Sequence, residues 1–292
     1  MNGRHSSEII ENREISPGIF DLRLEFSGPE PKPGQFFMLY TGDNARLLPR
    51  PISVCGYEGG VLRLVYRVAG AGTVIFSKLA PGNKIDVLGP LGNGYPVPLS
   101  DSSASVGSGI KIPETAVLIG GGIGLPPLLY LGKCLRKHDP REDALTDRTD
   151  PASAGTASGH PEIISILGYR DSEMFLKDEF EEISALYIST DDGSFGTKGT
   201  VMDVLESHPG LIRKNSVICA CGPTPMLRAV RKYALENGIS AFVSLEERMA
   251  CGVGACLSCV CRTAEKDDHS NVNNARVCVD GPVFRAEDVI PD

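Results

Sequence analysis

The 292-residue chain contains no run of the roughly 18 apolar residues that a membrane helix requires, which excludes a helical span and argues against a membrane partner. Its opening residues, MNGRHSSEIIENREI, have no apolar core like that of a secretory signal. The cytoplasm is therefore the expected location, and stable disulfides are rare there. Positive charge is in deficit: 29 Lys and Arg against 37 Asp and Glu leave a formal net charge of −8. Binding a phosphate backbone needs a basic face, so nucleic acid is not an expected partner. Histidine is scarce, with 5 in the chain and only His269 beyond residue 239, so a Cys/His zinc knuckle lacks its second imidazole. Nor does the chain offer a general base beside a pocket for an organic acid substrate.

Against these absences stands a concentration of cysteine. Four of the nine cysteines fall within ACGVGACLSCVC (250–261). A disulfide staple, a zinc site and an iron–sulfur cage are the three uses to weigh. Cys251, Cys256, Cys259 and Cys278 read C-x4-C-x2-C-x18-C, and the first three match the spacing of plant-type [2Fe–2S] proteins. Gly252 and Gly254 suit a tight loop whose backbone N–H groups point at sulfur. Cys261 lies two residues past Cys259, on the same strand face, and is expected near the cluster without ligating it. The expected metal ligands are therefore Cys251, Cys256, Cys259 and Cys278, with zinc and disulfides as the competing uses.

The composition, 41% hydrophobic and 23% charged, is that of an ordinary globular protein long enough for two domains and a tail. GIFDLRLEF (18–26), QFFMLYT (35–41) and VLRLVYRV (61–68) are short alternating strands separated by turn residues, as in a small β-barrel. GPLGNGY (89–95) reads as turns that close this region. From residue 115 strands alternate with helices: TAVLIGG (115–121), PPLLYLGKCLRKH (126–138), EIISILGYR (162–170), MFLKDEFEEIS (174–184), ALYISTDD (185–192), TVMDVLESH (200–208), SVICACGP (216–223) and PMLRAVRKYALENG (225–238), with Gly238 as a C-cap. The polar stretches at 100–110 and 139–161 read as surface loops. The expected organisation is a β-barrel domain over 1–111, a parallel α/β nucleotide-binding domain over 112–238 and a small C-terminal cysteine domain over 239–292.

Two sets of motifs point to nucleotides. In RPISV (50–54), Arg50 beside the rigid Pro51 can hold a phosphate or a flavin edge, and Ser53, past Ile52, can donate to an isoalloxazine nitrogen or a ribityl oxygen. In GAGTVIFSKL (70–79), Gly72 and Thr73 open a helix whose N-terminus suits a pyrophosphate. Taken singly, these are equally a strand start and a capped helix. In LIGGGIGLPPL (118–128), Gly120, Gly121, Gly122, Ile123 and Gly124 join a strand to a helix. This is not the G-x-G-x-x-G fingerprint, because Leu125 stands where the last glycine belongs. In ACGPTPML (220–227), Cys221, Gly222, Pro223 and Met226 sit at a strand end, where open α/β sheets place ligands. Alone, Cys221 reads as a core cysteine. Arg170 could meet a 2′-phosphate, but Asp171 and Glu173 would repel one, which favours NAD over NADP.

The RPIS, Gly72–Thr73, GGGIG and CGP-x-xM segments, in this order, resemble the ferredoxin–NADP reductase superfamily, whose barrel binds FAD. SLEERMACGVGACLSCVC with RVCVDGPVF (276–284) narrows the likeness. The chain resembles the electron-transfer subunits of dihydroorotate dehydrogenase B over essentially its whole length, in the same domain order, departing in the loops at 100–110 and 139–161 and in a longer spacer at 265–275.

The resemblance implies FAD, one [2Fe–2S] cluster, NAD, and a separate FMN-containing catalytic subunit in a heterotetramer with two of each chain, serving pyrimidine biosynthesis. It places Val65, Tyr66 and Arg67 beside the flavin and leaves no catalytic residue beyond Cys221 near the nicotinamide. A flavin handles both hydride and single electrons, so it belongs between NAD and the cluster. The alternatives are an NAD(P)H-dependent ferredoxin or sulfide-linked reductase of the same superfamily, whose cluster loop varies and at times carries a non-cysteine ligand, a non-enzymatic redox sensor, and a zinc-stapled binding module that would leave both nucleotide motifs unexplained.

Overall fold

The computed structural model describes residues 3–97, 113–137, 161–266 and 271–291. The polar segments expected as loops at 100–110 and 139–161 fall almost entirely outside them.

Alternation of apolar residues builds the first unit. Strands β1 (Arg4–Ser16), β2 (Ile19–Glu25), β3 (Phe36–Leu39), β4 (Arg50–Glu58), β5 (Val61–Arg67) and β6 (Lys84–Leu91) close an antiparallel barrel in the order β1-β2-β5-β4-β3-β6. Leu22 and Leu24, Leu62, Leu64 and Tyr66, Phe37 and Leu39, Val54 and Val87 fill its interior. Each such side chain contributes about 1.5–3 kcal/mol on burial. Helix α1 (Ala71–Phe76) drives Phe76 into this core, and Asn12 holds the segment by donating to the Phe76 and Leu79 carbonyls at 2.8 Å.

The sequence pattern overlooked β1 and β6. In β1 the half-polar run RHSSEIIENREIS gives the barrel interior Ile9 and shifts register twice, so its period of two is broken. In β6 the residues Gly89–Leu91, read as turns, are the end of a strand that pairs with both β1 and β3.

The second unit is a seven-stranded sheet. Strands β7 (Thr115–Gly121), β8 (Glu162–Tyr169), β9 (Ala185–Thr190), β10 (Thr197–Lys198), β11 (Ser216–Cys221), β12 (Ser240–Ser244) and β15 (Val283–Arg285) lie in the order β10-β9-β8-β7-β11-β12-β15, parallel except for β15. All of β7 is buried, as an unbroken apolar run at the centre of a two-faced sheet should be. Helices α2 (Leu125–Lys137) and α3 (Lys177–Glu181) cover one face. Helices α4 (Val201–Ser207) and α5 (Thr224–Asn237) cover the other. Gly238 ends α5 at φ 62° as a left-handed C-cap.

The helix expected over 174–184 is shorter than its pattern. Leu176 turns left-handed at φ 63°, Phe175 accepts the Tyr169 hydroxyl at 3.0 Å, and only Lys177–Glu181 is helical. Strands β12 and β15 belong to this sheet although they lie within 239–292, so the expected boundary at 238/239 separates a helix from a strand of one sheet. The rest of the tail carries an antiparallel trio: β13 (Val260–Thr263) between β14 (Asn274–Arg276) and β16 (Val289–Ile290). Among the described residues no helix is long and apolar enough to cross a membrane.

A half-buried ion cluster joins barrel and sheet. Arg63, its side chain only 14% exposed, reaches Asp21 in the barrel at 2.9 Å and Glu179 of α3 at 2.7 Å, while Lys133 of α2 meets Glu179 at 2.5 Å. These partners hold the Glu179 carboxyl down at about 2 against the cost of burying it. Tyr130 of α2 adds a 2.8 Å bond to the Pro31 carbonyl.

Candidate functional site

At the barrel end, the two flavin motifs meet. Arg50 opens β4, and its Nη1 donates to the Leu48 carbonyl at 2.6 Å. Its guanidinium lies over Gly72, where a Cβ would stand 2.6 Å from Nε and 3.0 Å from Nη2. A side chain at 72 would therefore evict the arginine from the first turn of α1. This arrangement sets a cation beside the free N–H groups of a helix start, which is a cradle for phosphate oxygens.

Pro51 and Ser53 pair opposite Met38 and Phe36 in the β3–β4 ladder, and Ile52 packs toward the barrel interior. Two expected contacts differ from expectation. The Thr73 hydroxyl is engaged by its own turn: it accepts from the Ala69 and Gly70 N–H groups at 2.9 and 3.1 Å and donates to the Gly70 carbonyl at 3.0 Å. Thr73 thus has only its backbone to offer an anion. Tyr66, expected beside the flavin, is fully buried in the barrel, stacked on Phe20 and donating to Asn12 at 3.2 Å. Val65 is buried on the side facing α2, whereas Arg67 is exposed, with Nη2 3.5 Å from where a Cβ on Gly122 would sit. Arg67 therefore spans from barrel to glycine loop.

The nucleotide motifs also come together. Gly120 and Gly121 end β7, Gly122–Gly124 form a single 3-10 turn, and α2 follows at once. A Cβ on Gly124 would collide with the backbone of Cys221 and Gly222, and one on Gly121 would meet Met226 Sδ at 3.2 Å and Pro223 Cδ at 3.3 Å. The two loops are pressed backbone to backbone at β7 and β11, where the connections leave in opposite directions. This is the switch point at which open α/β sheets bind nucleotides. Ile123 packs partly buried against the α2 side. Burial pushes the Cys221 thiol up to about 12 although Ser244 hydrogen-bonds it, so it stays neutral.

The cysteines stand as two pairs. The Cys251 and Cys256 thiols are within hydrogen-bonding reach of one another, as are those of Cys259 and Cys278. Two irons sharing four thiolates are held by such pairs, one pair to each iron. The Val253 N–H donates to Cys251 Sγ at 3.4 Å and the Gly254 N–H to Cys278 Sγ at 3.2 Å. Burial would raise the Cys251 thiol, but the amides of Val253, Cys256 and Ala255 outweigh it and bring it down to about 6. Burial and the neighbouring Cys259 push the Cys278 thiol up to about 12, so the fit to a sulfur-held cluster rests on the paired thiols and the amides aimed at them.

Gly252, at φ 70°, lets the loop lie on the barrel: a Cβ there would meet Met38 Cγ at 2.7 Å and Leu91 at 3.2 Å. Cys261 is buried on β13 opposite Ala275, and burial raises its thiol to about 11. Ser258 closes the loop onto the Arg248 carbonyl at 3.1 Å.

The motifs gave no sign of the residues that join these parts. Asn93 and Tyr95 sit in the segment read as turns, and the Arg63–Glu179 pair links positions 116 apart. The glycines at 92 and 94 were the only local hint.

Residues 246–290 match the family model described as the iron–sulfur cluster binding domain of dihydroorotate dehydrogenase B. The chain is 38% identical over 291 residues to the dihydroorotate dehydrogenase B (NAD(+)) electron transfer subunit of Fusobacterium nucleatum, covering 96% of each. It is 38% identical over 288 residues to the subunit of the same name in Listeria monocytogenes, covering 97% of each. Among solved structures it is similar to an NADH-dependent reduced ferredoxin-NADP oxidoreductase, at TM-score 0.77 and 27% identity, over 100% of this chain and 92% of that one.

Proposed function

The chain belongs to the family of dihydroorotate dehydrogenase B electron-transfer subunits, and from that premise we propose that it carries electrons between NAD(H) and a separate catalytic subunit by way of FAD and a [2Fe–2S] cluster. When bound, a flavin exchanges hydride with nicotinamide and single electrons with an iron–sulfur centre. Arg50 and the N–H groups of Gly72 and Thr73 hold the flavin's phosphates, and Ser53 donates to its ring or ribityl chain. Gly120–Gly124 and Cys221–Pro223 hold the nicotinamide nucleotide, with Met226 behind them and the neutral Cys221 thiol adding no charge beside it. Cys251 and Cys256 hold one iron, and Cys259 and Cys278 the other. Residues 1–111, 112–238 and 239–292 divide these tasks in that order, with β12 and β15 lending the tail's strands to the nucleotide sheet. The partner carries FMN and oxidises dihydroorotate, and two copies of each chain assemble.

The observation that carries this reading is the contact of Gly252 with Met38, because Met38 pairs with Pro51 in the flavin motif. The cysteine loop thereby lies against β3, whose ladder partner β4 carries the flavin motif. The similarity to a ferredoxin-NADP oxidoreductase keeps that activity as the second reading. Co-purification of the native complex under anaerobic conditions separates the two: a partner containing FMN and reducing NAD+ with dihydroorotate supports the first, and exchange with ferredoxin alone supports the second.

A further inference from the structure

We propose that the turn Gly92–Asn93–Gly94–Tyr95 is a two-way joint that sets the cysteine loop and the nucleotide loop independently against the barrel. Asn93 is the positioning residue for the first and Tyr95 for the second. The inference rests on the electron-transfer reading above.

The turn leaves the end of β6 and touches both other units within four residues. Asn93 bonds three times to the segment that runs from Cys278 into β15. Its N–H donates to the Gly281 carbonyl at 2.7 Å, its Nδ2 donates to the Asp280 carbonyl at 2.9 Å, and its Oδ1 accepts from the Val283 N–H at 3.1 Å. Gly92 lies flat beneath the same segment, since a Cβ there would stand 2.6 Å from Pro282 Cδ and 2.8 Å from the Gly281 oxygen. The Gly92 carbonyl is itself held by Gln35 at 2.7 Å, which anchors the turn to the barrel.

Two residues on, Tyr95 points the other way. It is buried, and its hydroxyl donates to the Ala220 carbonyl at 3.1 Å, one residue before Cys221 in the nucleotide loop. Asn93 is exposed and its bonds replace no core packing. Its bonds to Asp280 and Gly281 fix the chain two and three residues past Cys278, and its bond to Val283 fixes the start of β15. A misplacement of order 1 Å at a reacting pair can cost up to about a hundredfold in rate.

The test uses the full chain with its cofactors, in Asn93→Ala and Tyr95→Phe. After anaerobic mixing with NADH, Asn93→Ala is expected to bleach the flavin band at the wild-type rate and to reduce the cluster about tenfold more slowly. Tyr95→Phe is expected to do the reverse: flavin bleaching by NADH slows, while flavin-to-cluster transfer, measured separately after photoreduction of the flavin without NADH, keeps its wild-type rate constant. Independently of turnover, amide hydrogen exchange at Val283, whose N–H donates to Asn93 Oδ1, should rise in Asn93→Ala and stay unchanged in Tyr95→Phe. Should Asn93→Ala lose its cluster, Asn93→Asp, which keeps the acceptor for Val283, is measured in the same way; cluster loss in both overturns the proposal, since Asn93 would then hold the loop together and not position it. Equal slowing of the two separately measured rate constants in either variant, or unchanged exchange at Val283 in Asn93→Ala, also overturns it. A wild-type protein that binds neither flavin nor cluster would instead refute the reading beneath it.

Discussion

Replacing Glu179 by Gln tests the join between barrel and sheet quantitatively. In the folded protein the Glu179 carboxyl titrates at about 2, against an ordinary 4.5; burial opposes this, and the hydrogen bonds and charges of Arg63 and Lys133 overcome it. At about 1.4 kcal/mol per pH unit that interval corresponds to about 3 kcal/mol. With the Glu179 side chain 28% exposed, solvent screening reduces it to about 2 kcal/mol. Because the folded value lies below the unfolded one, the contribution is complete above pH 4.5 and is lost as the pH falls toward 2. Glu179→Gln should therefore lower the urea midpoint at pH 7 by about 0.7 M, taking a slope of about 3 kcal/mol/M. The gap between variant and wild type should close as the pH is lowered through that window. A gap at pH 7 under about 0.5 kcal/mol, within the range of ordinary surface substitutions, would refute the reasoning. So would a gap that persists unchanged at pH 3.

Other expectations follow from the site. Arg50→Gln should release FAD, with a flavin-to-protein ratio well below wild type after gel filtration, and Gly72→Val should act similarly by evicting the guanidinium. Cys256→Ser should abolish the cluster absorption while FAD remains, whereas Cys261→Ser should keep both; loss of the cluster in the latter would mean the ligand set is misassigned. Gly124→Ala should weaken NADH binding by about tenfold or more, because its Cβ would strike the Cys221 backbone, and should leave the flavin content unchanged.

Much of this was legible in the chain because it is local. TAVLIGG is a strand over its whole length because a central parallel strand is apolar throughout, and Gly238 caps α5 because a left-handed residue there favours glycine. The cysteine spacing was equally local, and Cys261 lies buried on β13 opposite Ala275. What escaped was long-range or depended on which way a side chain turned. Tyr66 and Thr73 sit in the right motifs, but the barrel core claims the ring of one and the α1 turn claims the hydroxyl of the other. Strand β1 is held by partners on both sides and not by its own pattern. Asn93, Tyr95, Arg63 and Glu179 meet partners more than a hundred positions away, and no periodicity encodes that.

The central claim is that this one chain conducts between a nicotinamide and an iron–sulfur cluster. The most direct measurement is an anaerobic NADH titration of the purified protein, followed by visible absorption and by electron paramagnetic resonance at low temperature. The account requires flavin and cluster bands in the starting spectrum, bleaching of the flavin by NADH, and the signal of a reduced [2Fe–2S] cluster thereafter. A colourless, zinc-containing protein, or a cluster that stays oxidised while the flavin is fully reduced, would contradict it.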